Sequence, residues 1–314
     1  MAILRIERVV YGVTDPAECS RFFTDFGLEP MVPEAGTGAV AGPATVFRTQ
    51  AGQEVEIRPH GDPELPPALE PGSTVREVVW GVDTQEALDA LAADLATDRE
   101  VRRDPDGGLH TRDETGYGLG FRLASVTEPA SNGAGQNGGA DNTHGQTGRW
   151  NKPLDPVGDV RPMRLCHVAL NIPKEGREAA VALYTGRLGF RATDVVEPMG
   201  VFMRAEGDVD QHTMLLCHRP DKAGINHTAY QVDSFDEVIV GANRMIERGW
   251  QEARRLGRHT IGSNVFRFIH APCGGRVEFA ADMDRVDDTY PTRTWETAPP
   301  HHLWTVRTNR GESE

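Results

Sequence analysis

The chain has 314 residues, 25% of them charged and 38% hydrophobic, with a formal net charge of −14, the profile of an ordinary globular protein of about two domains. The acidic surplus argues against non-specific nucleic-acid binding, and no basic cluster opposes it. No run approaches the roughly 18 apolar residues of a membrane span, and residues 1–7 lack the apolar core of a secretory signal. The cysteines, Cys19, Cys166, Cys217 and Cys273, have no CxxC spacing; with no signal segment, reduced thiols in a cytoplasmic protein are expected.

In chain order, residues 5–13 read as a strand, and Asp15-Pro16 opens a helix with Phe22, Phe23 and Phe26 inward and Gly27 as its stop. Strands are expected at 44–48, 54–58 and 75–82. A helix led by residues 83–86 carries Leu88, Leu91 and Leu95 on one side, and 116–123 closes the half as a strand. Residues 131–148, dominated by Gly, Asn and Gln, predict a flexible linker, and 150–162, with three prolines and Trp150, an ordered connector.

The pattern then recurs. Strands are expected at 164–172, 200–205, 213–218, 227–232, 265–270 and 276–281, with a helix over 175–187 stopped near Gly189. Ser234 and Glu237 form a capping box for a second helix. Its inward face would hold Phe235, Val238, Ile239, Ala242, Met245 and Ile246, with Gly249 as the stop. Residues 5–13 align with 164–172, 77–83 with 227–233 and 118–121 with 276–279, which sets Arg8 against His167, Glu77 against His227 and Gly120 against Glu278.

Each of the last three segments is a strand-like apolar run carrying one residue that could bind a metal: His167, His227 and Glu278. Two imidazoles and a carboxylate make the three-ligand face expected of a non-haem Fe(II) oxygenase, and a carboxylate in an apolar strand costs several kcal/mol unless paired or coordinated. Arg8, Glu77 and Gly120 cannot do the same. Cys166, adjacent to His167, is expected on the opposite face of its strand and in the packing, because strand side chains alternate. His301 and His302 read as a solvated pair.

This duplicated pattern resembles the vicinal oxygen chelate (glyoxalase/bleomycin resistance) superfamily, and within it the two-domain type I extradiol ring-cleaving dioxygenases. The resemblance covers nearly the whole chain, more specifically residues 160–285. It implies an α+β fold of tandem βαβββ modules: an N-terminal module without metal over 1–125, linker and connector over 126–160, a catalytic module over 161–285, and a C-terminal tail over 286–314. The family's metal triad falls on His167, His227 and Glu278. The run Gly257-Arg258-His259-Thr260 resembles the family's Gly-Arg-His-Thr segment, placing His259 near a substrate hydroxyl, on a loop that could close over the ring. His212 matches the histidine that assists oxygen activation and proton transfer.

Two positions depart from the family pattern. Phe268 stands where a hydrogen-bonding tyrosine is usual, and Ile261 replaces a commonly polar residue. The substrate ring is then expected to pack on Phe268, with Ile261 beside it; either the substrate is unusual, or His270 or Tyr290 supplies the missing polar contact, or the chemistry has drifted from standard catechol cleavage. The implied activity is ring cleavage of a catechol-like aromatic with O2 by Fe(II), or by Mn(II) or another divalent metal, in a cytoplasmic homo-oligomer. A metal-dependent isomerase, lyase or hydrolase of glyoxalase type is the alternative, and a non-catalytic aromatic-ligand binder the third.

Overall fold

The computed structural model describes residues 2–31, 45–125, 151, 153 and 155–307; the linker expected at 131–148 lies outside the described residues. The N-terminal half runs β1 (Ile3–Val13), α1 (Pro16–Phe26), β2 (Glu29–Met31), β3 (Val46–Arg48), β4 (Glu54–Pro59), β5 (Thr74–Val82), α2 (Gln85–Leu95), β6 (Arg102–Arg103), β7 (Leu109–Arg112) and β8 (Gly118–Leu123). The C-terminal half runs β9 (Arg164–Pro173), α3 (Arg177–Ala182), β10 (Arg191–Val196), β11 (Gly200–Arg204), β12 (Met214–Arg219), β13 (Gly224–Gln231), α4 (Phe235–Glu247), β14 (Glu252–His259), β15 (Val265–His270), β16 (Arg276–Ala281), β17 (Arg293–Trp295) and β18 (His302–Thr305). This is the α+β, tandem-module architecture expected from the sequence.

The halves repeat in sheet order and in register. The sheets run β2-β3-β4-β1-β5-β8-β7-β6 and β17-β10-β11-β12-β9-β13-β16-β15-β14-β18. At their centres, Arg8 pairs with Val79 and Val10 with Glu77, just as His167 pairs with Ala229 and Ala169 with His227. Gly120 lies beside Val79, and Glu278 beside Ala229. Two irregularities repeat as well: Glu7 and Arg76 are extra residues between paired positions in the first sheet, which has a third at Leu4, and Cys166 and Asn226 are their counterparts in the second. A bulge recurring at matched positions is a feature of the fold rather than a local defect.

Helix ends follow local chemistry. Asp15 accepts the Glu18 N–H at 2.9 Å as N-cap of α1, and Gly27, at φ +98°, closes it in the left-handed region that glycine enters without cost. Ser234 caps α4, and Glu237 reaches back to the Asp233 N–H at 3.0 Å. The helix expected at 175–187 is shorter than a regular α-helix: after Ala182 it widens into one π-turn, Leu183–Arg187. On α4, Val238, Ala242 and Met245 are buried, but Phe235 and Ile246, expected inward, lie at the rim of the helix face and are each 38% exposed. Among the described residues no helix is long and apolar enough to cross a membrane. All four cysteines are buried free thiols.

One apolar core joins the two modules. Phe26 of the first stacks on Phe279 of the second at 4.1 Å and meets Tyr230 edge-on at 5.1 Å. Gln53 clamps the Leu165 backbone, donating to its carbonyl at 2.8 Å and accepting its N–H at 2.7 Å. The stretch after β16 is built into the second sheet at both edges, β17 pairing with β10 and β18 with β14. Phe26→Ala should therefore cost about 3–5 kcal/mol, the usual range for emptying a buried aromatic site. Urea denaturation followed by tryptophan fluorescence and circular dichroism checks this: both signals should shift together to lower denaturant, and an unmoved midpoint would refute the shared core.

Candidate metal centre

The bulges decide what faces the cleft. Leu165 and Val168 both enter the helix-covered core, so two residues, Cys166 and His167, are left for the other face. Cys166 Sγ indeed lies 3.7 Å from His167 Nδ1 and meets the Ala229 carbonyl at 3.3 Å. The expectation that Cys166 points away from His167 fails because simple alternation does not survive a bulge. The second bulge does the same on β13, setting Asn226 beside His227, whose Nδ1 donates to Asn226 Oδ1 at 2.9 Å.

His167 and His227 meet Glu278 from the neighbouring strand. The two Nε2 atoms are 3.1 Å apart, and Glu278 Oε2 lies 3.2 Å from His167 Nε2 and 3.4 Å from His227 Nε2. Ligands bound at about 2.0–2.2 Å and roughly at right angles sit about 3 Å apart, so the spacing suits one divalent ion held on one face. Glu278 is 0% exposed and its Oε2 has no hydrogen-bond donor, while Oε1 accepts from Asn264 Nδ2 at 2.9 Å. An orphaned carboxylate oxygen aimed at two imidazole nitrogens is what a metal would satisfy. The donation from Nδ1 to Asn226 leaves the His227 Nε2 lone pair free for such an ion.

Burial sets the protonation. It drives the His167 imidazole down to about 3, with Arg164 adding to the shift, and holds His227 well below the usual histidine value. Both are neutral, as metal ligands must be. The same desolvation pushes the Glu278 carboxyl up to about 8, only partly opposed by Arg276 and Arg254.

The first module fills its equivalent place. Arg8 is paired with Glu54 at 2.6 Å and Glu56 at 2.9 Å, and Glu77 with His110 at 2.8 Å. At Gly120 a Cβ would come within 2.8 Å of Val79 Cγ2. No carboxylate fits there.

A cavity of about 270 Å³ opens beside the triad, sized for a single ring and just below the usual range of ligand clefts. Of the site residues inferred from sequence, His167, His227, His212, His259, Ile261 and Phe268 line it. His270 and Tyr290 do not reach it: His270 ends β15 exposed to solvent, and Tyr290 sits half-buried beside Arg293. His259 is the last residue of β14 rather than part of a mobile loop, because 252–259 pairs on both sides, with β15 and β18. It stacks on Phe266 at 4.0 Å, with Nε2 3.8 Å from Glu278 Oε1. His301, expected to be solvated, is exposed yet lines the cavity mouth together with Pro299 and Pro300.

His212 is buried, its ring 4.4 Å from that of His167. Its Nδ1 donates to Gln211 Oε1 at 2.7 Å, and Gln211 Nε2 donates to Asp194 Oδ2 at 2.7 Å and to Thr193 Oγ1 at 3.0 Å. This chain fixes the amide and the tautomer together, leaving His212 Nε2 as an acceptor. Arg293 and Trp295 of β17 donate to the same Asp194, so the C-terminal strand braces His212 from behind. Sequence reading missed Asn264, Gln211, Asn226, Arg219, Arg254 and Arg276. Arg276 was within reach of it, since a residue two before Glu278 on a strand shares its face.

Replacing Asn264 with Ala removes the donor that holds Glu278 Oε1, and the metal affinity should fall about 10–100-fold, as for other partners of metal ligands. Competition with a chromophoric chelator measures it. An unchanged affinity in a folded variant would mean that Glu278 needs no such support.

Comparison with known proteins bears on the fold that carries this geometry. Residues 164–279 match the family model described as the Glyoxalase/Bleomycin resistance protein/Dioxygenase superfamily. Metapyrocatechase 2 of Cupriavidus necator is 31% identical over 183 residues, covering 58% of this chain and 52% of that protein, so the chain spans about half the length of that curated relative. BphC, a halotolerant catechol dioxygenase, superposes with a TM-score of 0.72 at 16% identity, over 99% of this chain and 96% of its own. The Mn(II)-bound glyoxalase from Novosphingobium aromaticivorans superposes with a TM-score of 0.68 at 23% identity, over 95% and 89%. The chain thus has the vicinal oxygen chelate fold seen in these solved structures, and its residues 164–279 match the model of the glyoxalase/bleomycin resistance protein/dioxygenase superfamily.

Proposed function

We propose that this protein is an Fe(II)-dependent extradiol dioxygenase that opens the ring of a catechol-like aromatic with O2. The observation that carries the reading is the convergence of His167 Nε2, His227 Nε2 and Glu278 Oε2 beside a ring-sized cavity, with His212 and His259 on its wall and His301 at its mouth. The resemblance to a metapyrocatechase supports it. Fe(II) held by the triad would supply Lewis acidity, one-electron redox chemistry and a template for diol and O2.

The protein's own groups do the rest. Phe202, Leu215 and Ile261 make an apolar wall that keeps water from the ring. His212, neutral through burial, presents Nε2 as the acceptor that takes a proton as the diol reacts and returns it later. His259, wedged on Phe266, holds a substrate hydroxyl near the Glu278 carboxylate.

A second reading, a metal-dependent isomerase, lyase or hydrolase of glyoxalase type, has one observation in its favour. Phe268 supplies no hydrogen-bond donor where the extradiol pattern has a tyrosine. Anaerobic purification with Fe(II), then oxygen uptake against a panel of catechols, separates the two. Uptake matching diol consumption supports ring cleavage; turnover of a hemithioacetal or another non-diol with Mn, Ni or Zn and no oxygen uptake would replace it.

His212→Ala should lower kcat by about 10²–10⁴-fold, the usual contribution of a positioned acid–base group, with iron content and anaerobic substrate affinity retained. His259→Ala should weaken substrate binding as well as turnover. Stopped-flow mixing of the loaded anaerobic complex with O2 measures both. A His212 variant that binds poorly yet reacts at the normal rate once loaded would reverse the assignment.

A further inference from the structure

The wall of the cavity carries an unexpected charge. In a protein of net charge −14, the described residues lining this cavity include Arg219, Arg254 and Arg276 and no Asp or Glu. Arg276 lies two residues before Glu278 on β16, so its Cα is about 6.6 Å along the strand from that of the ligand carboxylate. Arg219 lies two residues after Cys217, another wall residue, on β12. Both therefore project from the same face as the metal ligands, about one ring's length away.

Their geometry is fixed by polar side chains. Arg219 Nε donates to Asn171 Oδ1 at 2.8 Å, Asn226 Nδ2 donates to the same oxygen at 3.1 Å, and Arg276 Nη2 donates to Asn226 Oδ1. One hydrogen-bond chain thus holds both guanidiniums against a single wall. Arg254 approaches from β14, donating to His301 Nε2 at 2.9 Å. Arg254 and Arg276 both lie over the Phe268 ring, at 5.4 and 5.1 Å from its centroid. Among the described residues, neither Arg219 nor Arg276 forms an ion pair with a carboxylate within 4.0 Å. Like charges gathered on one wall repel, and an anion among them would relieve that repulsion while taking bidentate contacts from Arg219 and Arg276.

We propose that Arg219, Arg254 and Arg276 form a carboxylate subsite, and that the substrate of the proposed dioxygenase is a diol ring bearing a carboxylate or short carboxyalkyl group. The inference rests on the extradiol reading for the diol, but not for the anion. Phe268 then has a physical role: it is the apolar spacer on which the two guanidiniums lie, between the diol end and the acid end of the cavity.

The test uses the iron-loaded protein with 3,4-dihydroxyphenylacetate, 3,4-dihydroxybenzoate and neutral 4-methylcatechol in oxygen-uptake assays, and phenylacetate in anaerobic calorimetry. The preferred substrate should be one of the acids. The ratio of its kcat/KM to that of 4-methylcatechol should fall about 10–100-fold in Arg276→Met and in Arg219→Met, the loss expected for one charge-assisted contact. Arg276→Lys, which keeps charge but not the fork, should fall between. Phenylacetate affinity should drop in the same variants. If no diol consumes oxygen, yet phenylacetate binds and loses affinity in the arginine variants, the subsite stands and the dioxygenase reading fails. If catechols are cleaved but the acid-to-neutral ratio is unmoved in both methionine variants, the subsite is wrong and the dioxygenase reading stands.

Discussion

The antiparallel pairing of β9 with β13 is the constraint on which the site depends. A regular ladder would send Cys166 and Asn226 to the face opposite their histidine neighbours. The two bulges in this pair instead place Cys166 beside His167 and Asn226 beside His227. The first change packs a thiol against one imidazole; the second supplies the acceptor that fixes the tautomer of the other. Because the same bulges occur at Glu7 and Arg76, the geometry belongs to the fold, and the chemistry was laid onto it in one copy only.

The two copies show how one backbone carries opposite electrostatic solutions. In the first, every charge at the equivalent positions has a partner within the sheet, Arg8 with Glu54 and Glu56, and Glu77 with His110. In the second, a fully buried carboxylate keeps one oxygen without a donor and two imidazoles are held neutral. The first arrangement satisfies itself; the second has the geometry that a cation would satisfy. The filled module still contributes, since Phe26 and Gln53 reach across to Phe279 and Leu165 and hold the second sheet in place.

The C-terminal stretch beyond β16 has more to do than the word tail suggests. Its first strand donates two hydrogen bonds to Asp194, behind Gln211 and His212, and its second pairs with the strand that ends in His259. Between them, Pro299, Pro300 and His301 pass over the cavity mouth. One segment thus braces both non-ligand histidines and narrows the entrance, a coupling that ties the cavity's shape to the far end of the chain.

The sequence by itself determined the duplicated α+β pattern and the positions of His167, His227 and Glu278 on matching strands. Strand periodicity, helix caps and internal alignment are local signals, and they survive without knowledge of contacts. It could not place Cys166 relative to His167, because alternation predicts a face only while the ladder is unbroken. Nor could it exclude His270 and Tyr290 from the cavity, since which end of a strand closes a cleft depends on its neighbours. His259 was assigned to a loop because its partners, β15 and β18, lie on the far side of a turn and in the remote C-terminal stretch. The same holds for the arginine wall. Arg219, Arg254 and Arg276 sit on three different strands, and their shared charge exists only once the second sheet has curved its strands around one space.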